Sequence, residues 1–325
     1  MTKDVAFGSA LVGHLNDFLQ EKRSLGFVYN SEAYWLRDLD RYWSEHKYDS
    51  DTLTEECLRG WIRKRETEGK KCHSSRGTIA RQFSLFLIAQ GLDSYVPAIS
   101  HKTERKAPHI FTVSELQELF QHMDGYIPKN GRHSLLRLAH EYPVIMRVLI
   151  CTGMRISEVC GMRISDADLD NGIISVYKAK GDRDRLVYLP DDLIPVLEEY
   201  RRYMEEKAHI RSEWFFPGGD TETPISGSSV RRRFNAALKE SSFFESCEKK
   251  PRVHDLRHTY VVMRINAWAA QGVDTAQMAI YLSKQLGHSD VEETYYYYHY
   301  VRQVNEVIRQ KDKISSKVIP DIIPR

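Results

Sequence analysis

Five short segments in the second half of the chain concentrate cationic, imidazole and phenol side chains. They read T-G-M-R-I-S-E at 152–158, K-G-D-R-D-R at 180–185, H-D-L-R-H at 254–258, L-G-H at 286–288 and T-Y-Y-Y-Y-H at 294–299. His254 and Arg257 are three residues apart, so on a helix both side chains leave one face and can hold the same oxyanion. That arrangement suits a phosphate group. The segments lack metal-ligand spacing, including that of an H-E-x-x-H zinc helix, so we expect no metal site.

Charge and cysteine content exclude several classes of protein. There are 47 Lys and Arg against 45 Asp and Glu, a net charge of +2, so the total charge predicts no polyanionic partner. The five cysteines form no C-x-x-C pair, which argues against a disulfide framework or a thiolate zinc site and predicts a reducing cytoplasm. No long apolar run indicates an export signal or a membrane span.

The elements that must position the five segments divide into two predicted domains. A length of 325 residues is typical of about two domains. Helical spacing of apolar residues predicts two helices within 11–44 and one each at 54–68 and 74–90. A stretch with two prolines and several cations follows and is typical of a linker. The predicted boundaries are a helical domain at 1–100, a linker at 101–110, a larger domain at 111–310 and an apolar tail at 311–325.

The larger domain is predicted to be mostly helical with a small β-sheet. Runs rich in Ile, Val and Tyr at 172–177 and 185–189 flank the turn-like K-A-K-G-D-R-D and predict a β-hairpin. Helical patterns occupy 113–123, 134–151, 190–206, 227–239, 253–271, 275–286 and 291–310.

The near-neutral total charge conceals a local basic patch in the first domain. Residues 59–81 hold eight Lys and Arg against two acids, whereas 38–56 hold seven acids against two bases. We therefore predict one basic and one acidic face, and the basic face is a candidate for phosphate contacts. A solvated charged face explains the pattern equally well. The candidate DNA-binding residues are Arg63, Lys64, Arg65, Lys70, Lys71, Arg76 and Arg81.

In content and order, the five segments resemble the tyrosine recombinase (phage integrase) family. The resemblance covers about 145 residues, and F-L-Q-E-K-R-S-L-G with Y-W-L-R-D-L-D-R-Y-W is similar to the family's helical, SAM-like core-binding domain. The family's catalytic domain is mixed α/β. Spacing from His288 and Thr294 selects Tyr297 as the nucleophile, with Tyr296 and Tyr298 as the alternatives. The resemblance implies the catalytic residues Arg155, Lys180, His254, Arg257, His288 and Tyr297.

The implied chemistry is transfer of a DNA phosphodiester to a phenol, without metal, ATP or cofactor. Because a phenol with a pKa of about 10 is a weak nucleophile, the site must supply positive charge and move protons. The two arginines would bind the non-bridging oxygens, and Lys180 would protonate the leaving 5′ oxygen. His254 would accept a proton or bind the phosphate. His288 would donate a hydrogen bond to a non-bridging oxygen of the phosphate. Glu158 is expected to orient a neighbouring residue rather than to act as an acid.

The resemblance implies a site-specific recombinase that acts as a homotetramer on double-stranded DNA with inverted half-sites. We expect it in the cytoplasm, associated with the nucleoid, and serving a mobile element through integration, excision or transposition. Accessory DNA-binding proteins are possible partners, and the tail at 311–325 is expected to dock on a neighbouring protomer. The alternatives are Xer-type dimer resolution, type IB topoisomerase-like relaxation, and a DNA-binding protein without catalysis.

Overall fold

Two units, Met1–Lys106 and Ala107–Arg325, make up the chain in the computed structural model. The structure describes residues 5–98, 107–128, 133–179, 183–247, 249–288 and 290–300. Lys180, most of the predicted linker and the predicted tail at 311–325 lie outside these residues. The mainly helical fold with a small sheet, predicted from the sequence, is confirmed.

The first unit consists of four helices around an aromatic and leucine core. Phe18, Leu36, Trp43, Trp61 and Phe83 are fully buried there, since one apolar face of each helix turns inward. Thr54 caps the third helix through a hydrogen bond from the backbone N–H of Cys57. The helices are α1 (Val12–Ser24), α2 (Asn30–Glu45), α3 (Glu55–Ile62) and α4 (Lys70–Ala89).

Arg76 explains why the third predicted helix is shorter than its pattern indicated. Its buried guanidinium donates to the carbonyl oxygens of Trp61, Ile62 and Arg63, where α3 ends, and pairs with Glu68 in the following loop. These bonds satisfy carbonyls that the end of a helix leaves unpaired. The prediction that Arg76 contacts DNA is therefore wrong, because its side chain is 0% exposed and already bound inside the protein.

The second unit surrounds a three-stranded antiparallel sheet with helices. The strands β1 (Ala167–Asp168), β2 (Ile173–Ala179) and β3 (Arg183–Tyr188) are ordered β1-β2-β3, and β2 and β3 form the predicted hairpin. In the described part of the chain, no helix has both the length and the apolar content needed to cross a bilayer. The helices are α5 (Val113–Asp124), α6 (His133–Thr152), α7 (Ile156–Cys160), α8 (Ile194–Glu206), α9 (Gly227–Glu240), α10 (Val253–Ala270), α11 (Thr275–Leu286) and α12 (Glu292–Tyr295).

The run of tyrosines does not continue α12 as the sequence pattern predicted. A 3₁₀ turn follows at Tyr296–Tyr300. The hydroxyl of Tyr298 donates to the carbonyl oxygen of Thr275 at 2.6 Å, and Tyr297 is buried against α10 and α11. These contacts with α10 and α11 favour the 3₁₀ turn. In a continued α-helix the tyrosine side chains would point in other directions. Residues 301–310 of the predicted helix lie outside the described part.

Candidate active site

Arg155 is held at a sharp turn between α6 and α7. Gly153 adopts φ +67°, and a Cβ there would come within 2.5 Å of Tyr260 and 2.8 Å of Leu286, so the turn requires glycine. The guanidinium of Arg155 donates to Glu158 Oε1 at 2.9 Å and to the carbonyl oxygen of Gly287 at 3.0 Å. Its backbone N–H donates to Glu158 Oε2 at 2.8 Å, which caps α7.

Arg257 lies on α10 and is anchored by the same two turns. Its guanidinium donates to the carbonyl oxygens of Gly153 and Leu286, each at 2.8 Å. A guanidinium has five N–H donors, so these two bonds fix the group and leave further donors for a ligand. Burial and the charge of Arg155 lower the pKa of Arg257 to about 10, which leaves it cationic at neutral pH.

Glu158 connects Arg155 to a third arginine, Arg185 on β3. Arg185 donates to both carboxylate oxygens of Glu158, at 3.1 and 2.6 Å, and its Nε donates to the carbonyl oxygen of Gln285 at 2.7 Å. Burial alone would raise the pKa of Glu158, but hydrogen bonds from Arg185 and from the Arg155 backbone outweigh burial and lower it. Sequence reasoning missed Arg185, although it lies inside the K-G-D-R-D-R segment.

Tyr297 lies among three histidines. Its hydroxyl is 2.7 Å from Nδ1 of His258, and its ring stacks on that of His288 with the two centroids 6.5 Å apart. The ring of His254 meets that of His258 edge-on at 4.8 Å, and His288 Nδ1 is 2.8 Å from Thr294 Oγ1. Tyr297 itself is 4% exposed.

The neighbouring tyrosines point to other partners. The hydroxyl of Tyr298 binds the carbonyl oxygen of Thr275, and that of Tyr296 lies 2.9 Å from the hydroxyl of Tyr300. The structure thus brings Arg155, His254, Arg257, His288 and Tyr297 together, whereas Lys180 is outside the described residues. His258 is a member of the cluster that sequence reasoning did not select, even though it ends the H-D-L-R-H segment.

The surroundings of this cluster disfavour protonation of its histidines and ionisation of the Tyr297 phenol. Burial and the charge of His254 lower the pKa of His258 to about 4, and burial with Arg257 and Arg155 lowers that of His288 to about 3. The pKa of His254 is also lowered, by burial and by Arg257. Burial raises the pKa of Tyr297 to about 12, although Arg257 opposes the rise. At neutral pH the site therefore holds neutral imidazoles, a neutral phenol and the cationic guanidinium of Arg257.

Three metal-type donors meet elsewhere in the second unit. Donor atoms of His109, Glu115 and Cys247 lie within 4.8 Å of one another, the one such group among the described residues. Glu115 also caps α5 in a capping box with Thr112, and the thiol of Cys247 donates to the carbonyl oxygen of Phe243 at 3.4 Å. Both side chains therefore have structural partners.

The candidate DNA-binding side chains of the first unit differ in exposure. Arg63, Lys64, Arg65, Lys70 and Lys71 are exposed, whereas half-buried Arg81 donates to the carbonyl oxygen of Pro97 at 3.1 Å. Arg65 also pairs with the buried carboxylate of Asp38, which belongs to the predicted acidic face. The predicted basic and acidic faces therefore meet at this ion pair.

Most of the chain is similar in sequence to known proteins. The model of the phage integrase family matches residues 110–303. The tyrosine recombinase XerD of Listeria monocytogenes serotype 4b is 25% identical over 271 residues, which are 81% of this chain and 84% of the relative.

Two solved structures have a similar fold. XerH site-specific recombinase bound to its difH substrate has a TM-score of 0.61 at 18% identity, covering 85% of this chain and 77% of that chain. The Tn1549 transposon integrase in complex with transposon right-end DNA has a TM-score of 0.60 at 15% identity, covering 87% and 94%. The family match spans more than half of the sequence, and the chain therefore belongs to the phage integrase family, the tyrosine recombinases.

Proposed function

We propose that this protein is a site-specific DNA recombinase that cleaves and rejoins strands through a covalent 3′-phosphotyrosine. The observation that carries the proposal is the Tyr297 hydroxyl, held 2.7 Å from a neutral histidine beside the cationic Arg257. A phenol, a proton acceptor and fixed positive charge are what phosphoryl transfer to tyrosine requires.

Arg155 and Arg257 would bind the non-bridging oxygens of the scissile phosphate. Arg257 is already fixed by the carbonyl oxygens of Gly153 and Leu286, and Arg155 by Glu158 and the carbonyl oxygen of Gly287, so neither guanidinium needs much rearrangement when the phosphate arrives. Preorganised donors of this kind stabilise the charge that develops in the transition state. Lys, a single point charge on a flexible stem, would not reproduce the planar arrangement.

Strand exchange can follow because cleavage replaces one phosphoester bond with another. The Tyr297 oxygen bonds to phosphorus as the bond to the 5′ oxygen breaks, and Lys180 is the candidate donor of a proton to that oxygen. His254 and His288 would contact the bound phosphate. Because the phosphotyrosine retains the energy of the phosphodiester, a 5′ hydroxyl from another duplex can attack it, and the strands are rejoined without ATP.

The test is covalent trapping on a nicked suicide substrate in EDTA. The wild-type protein should form a DNA adduct, whereas Tyr297→Phe should bind the same DNA and form none. Tyr296→Phe and Tyr298→Phe are matched controls, since their hydroxyls bind Tyr300 and Thr275 instead, and both should retain the adduct. Binding without any adduct in the wild type would support a DNA-binding protein without catalysis. An adduct that persists in Tyr297→Phe would contradict the assigned nucleophile.

We further propose that the protein serves a mobile element and assembles as a tetramer on inverted half-sites. The proposal is supported by similarity in fold to a transposon integrase solved on transposon-end DNA, and by exposed cations available for phosphate contacts in the first unit. The measurement is sequencing of the DNA that becomes crosslinked to the wild-type protein, which carries Tyr297, in cells. Recovery of ends and junctions flanking the gene is expected. Recovery of one distant chromosomal site would favour dimer resolution instead.

A further inference from the structure

The side chain in contact with the nucleophilic oxygen is His258, a residue that the sequence resemblance left without a role. Nδ1 of His258 is 2.7 Å from the Tyr297 hydroxyl, and it is the one hydrogen-bond partner of that hydroxyl among the described residues. We propose that His258 is the base that takes the Tyr297 proton when the phenol attacks the phosphate. This inference rests on the proposed recombinase function.

The position of His258 on α10 explains how one segment serves two tasks. His254 and His258 are four residues apart and share a helix face, where their rings are in contact at 4.8 Å. Arg257, one residue earlier, points about 100° away and reaches Gly153 and Leu286. The H-D-L-R-H segment therefore presents an anion-binding group on one side and an imidazole toward the phenol on another.

A base is needed because the phenol is difficult to ionise in this environment. With its pKa raised to about 12, only about one Tyr297 in 10⁵ would be a phenolate at pH 7. His258 is neutral at that pH, so in the Nε2–H tautomer its Nδ1 lone pair is available to accept the proton. A phosphodiester bound by the two arginines would add negative charge and raise the pKa of His258.

The charged and titratable groups around His258 come from three elements. Arg252, His254, Asp255 and Arg257 belong to α10 or its cap, Tyr297 belongs to the 3₁₀ turn, and His288 follows α11. The arginines and His254 lower the proton affinity of His258, and Asp255 raises it. Arg252 also donates to Asp255 at 2.9 Å, which moderates the effect of that carboxylate.

The proposed step balances in protons and bonds. The proton moves from Tyr297 Oη to His258 Nδ1 as the Oη–P bond forms, and the P–O5′ bond breaks. The leaving oxygen takes its proton from a separate acid, for which Lys180 is the candidate. During rejoining, a 5′ hydroxyl attacks phosphorus and loses its proton to that acid's conjugate base. His258 then returns the stored proton to the departing phenolate.

The test measures single-turnover adduct formation by His258→Asn between pH 6 and pH 9. Asn keeps an acceptor oxygen near the position of Nδ1, so it preserves the hydrogen bond but cannot carry a proton. The expected loss at pH 7 is about 10²- to 10⁴-fold. Because hydroxide must then remove the proton, the variant's rate should rise about tenfold per pH unit, more steeply than that of the wild type. His209→Asn is the control, since His209 is exposed and its φ of +52° is tolerated by Asn.

A substrate with sulfur in place of the leaving 5′ oxygen separates base from acid. A thiolate leaves without protonation, so this substrate should rescue Lys180→Ala and leave the defect of His258→Asn unchanged. Rescue of His258→Asn, or a rate within threefold of the wild type at pH 7, would overturn the proposal. If His258→Asn fails to fold by circular dichroism, His258→Gln takes its place under the same criteria. If the wild type forms no adduct at all, the recombinase function itself has failed.

Discussion

At the scale of single residues, backbone carbonyls orient the cations of this site. Arg257 is buried and bonds to two carbonyl oxygens, and among the described residues it has no carboxylate partner. A carboxylate would neutralise the charge that a phosphate needs, whereas a carbonyl orients the guanidinium and leaves its net charge intact. Arg155 combines the two modes, with one bond to Glu158 and one to Gly287.

Arg257→Lys should lower the rate of adduct formation by about 10²- to 10³-fold, the usual cost of losing a preorganised donor to the transition state. Lys carries the charge but cannot bind both Gly153 and Leu286 while reaching a phosphate. Single-turnover cleavage of the suicide substrate measures the loss. The surface pair Arg163–Glu213 provides a control, because Arg163→Lys should cleave at the wild-type rate. A comparable loss in both variants would indicate a general effect of the substitution.

At the scale of elements, short turns bring distant helices to one point. The turn at Gly153 ends α6, and the turn at Gly287, with φ +65°, ends α11. Both turns expose carbonyl oxygens that bind the arginines, and helical or extended backbone would have used those oxygens internally. Glu158 adds a brace, since it joins the start of α7 to Arg185 of β3.

Removing the charge of Glu158 tests that brace. Glu158→Gln would leave Arg155 and Arg185 without their shared carboxylate in a largely buried place, and we expect a loss of about 3 kcal/mol in the free energy of unfolding. Adduct formation should fall at least about tenfold, because Arg155 would lose its orientation. Urea unfolding and single-turnover cleavage measure the two effects. Glu213→Gln, in an exposed pair with Arg163, should change neither. Unchanged unfolding of Glu158→Gln would refute the bracing role.

Buried Arg76 of α4 differs in its expected role from the exposed cations Arg63 and Lys64, which are proposed to contact DNA. Arg76→Ala should destabilise the first unit by about 3 to 5 kcal/mol, because Glu68 and three carbonyl oxygens would lose a buried partner. Arg63→Ala with Lys64→Ala should fold normally and weaken DNA binding. Each lost phosphate contact should reduce the slope of log affinity against log salt by about 0.9. Binding titrations at several salt concentrations measure this slope. An unchanged slope would favour a merely solvated charged face.

At the scale of the whole molecule, the half-buried histidines His258 and His288 make the stability of the second unit depend on pH. Each histidine has a pKa of about 6.5 in the unfolded chain, against about 4 for His258 and about 3 for His288 in the folded unit. Below pH 6.5 the unfolded chain binds protons that the folded unit does not. Stability is therefore complete above that pH and falls as the pH drops toward about 4.

As the pH falls from 6.5 to 5, the free energy of unfolding of the second unit should accordingly decrease by up to about 1 kcal/mol per pH unit for each of these histidines. Thermal melts at pH 7.5, 6.0 and 5.0 measure the dependence. His258→Asn combined with His288→Asn should flatten it, because the groups that titrate are gone. A melting temperature with the same pH dependence in the double variant would show that other groups are responsible.

The sequence by itself determined the residue types, the family and most of the helices. These depend on local information: the order of the cationic segments, the periodicity of apolar residues, and turn residues such as Gly153. It also narrowed the nucleophile to a short run of tyrosines.

Only the tertiary structure decided which side chains meet. It brought His258 to Tyr297 across 39 positions and Arg257 to Gly153 across 104, and it buried Arg76 although its neighbours are exposed. The physical reason is that a hydrogen bond requires two atoms within about 3 Å of each other. Which atoms come that close depends on how the helices pack, and the number of residues between two positions does not reveal it.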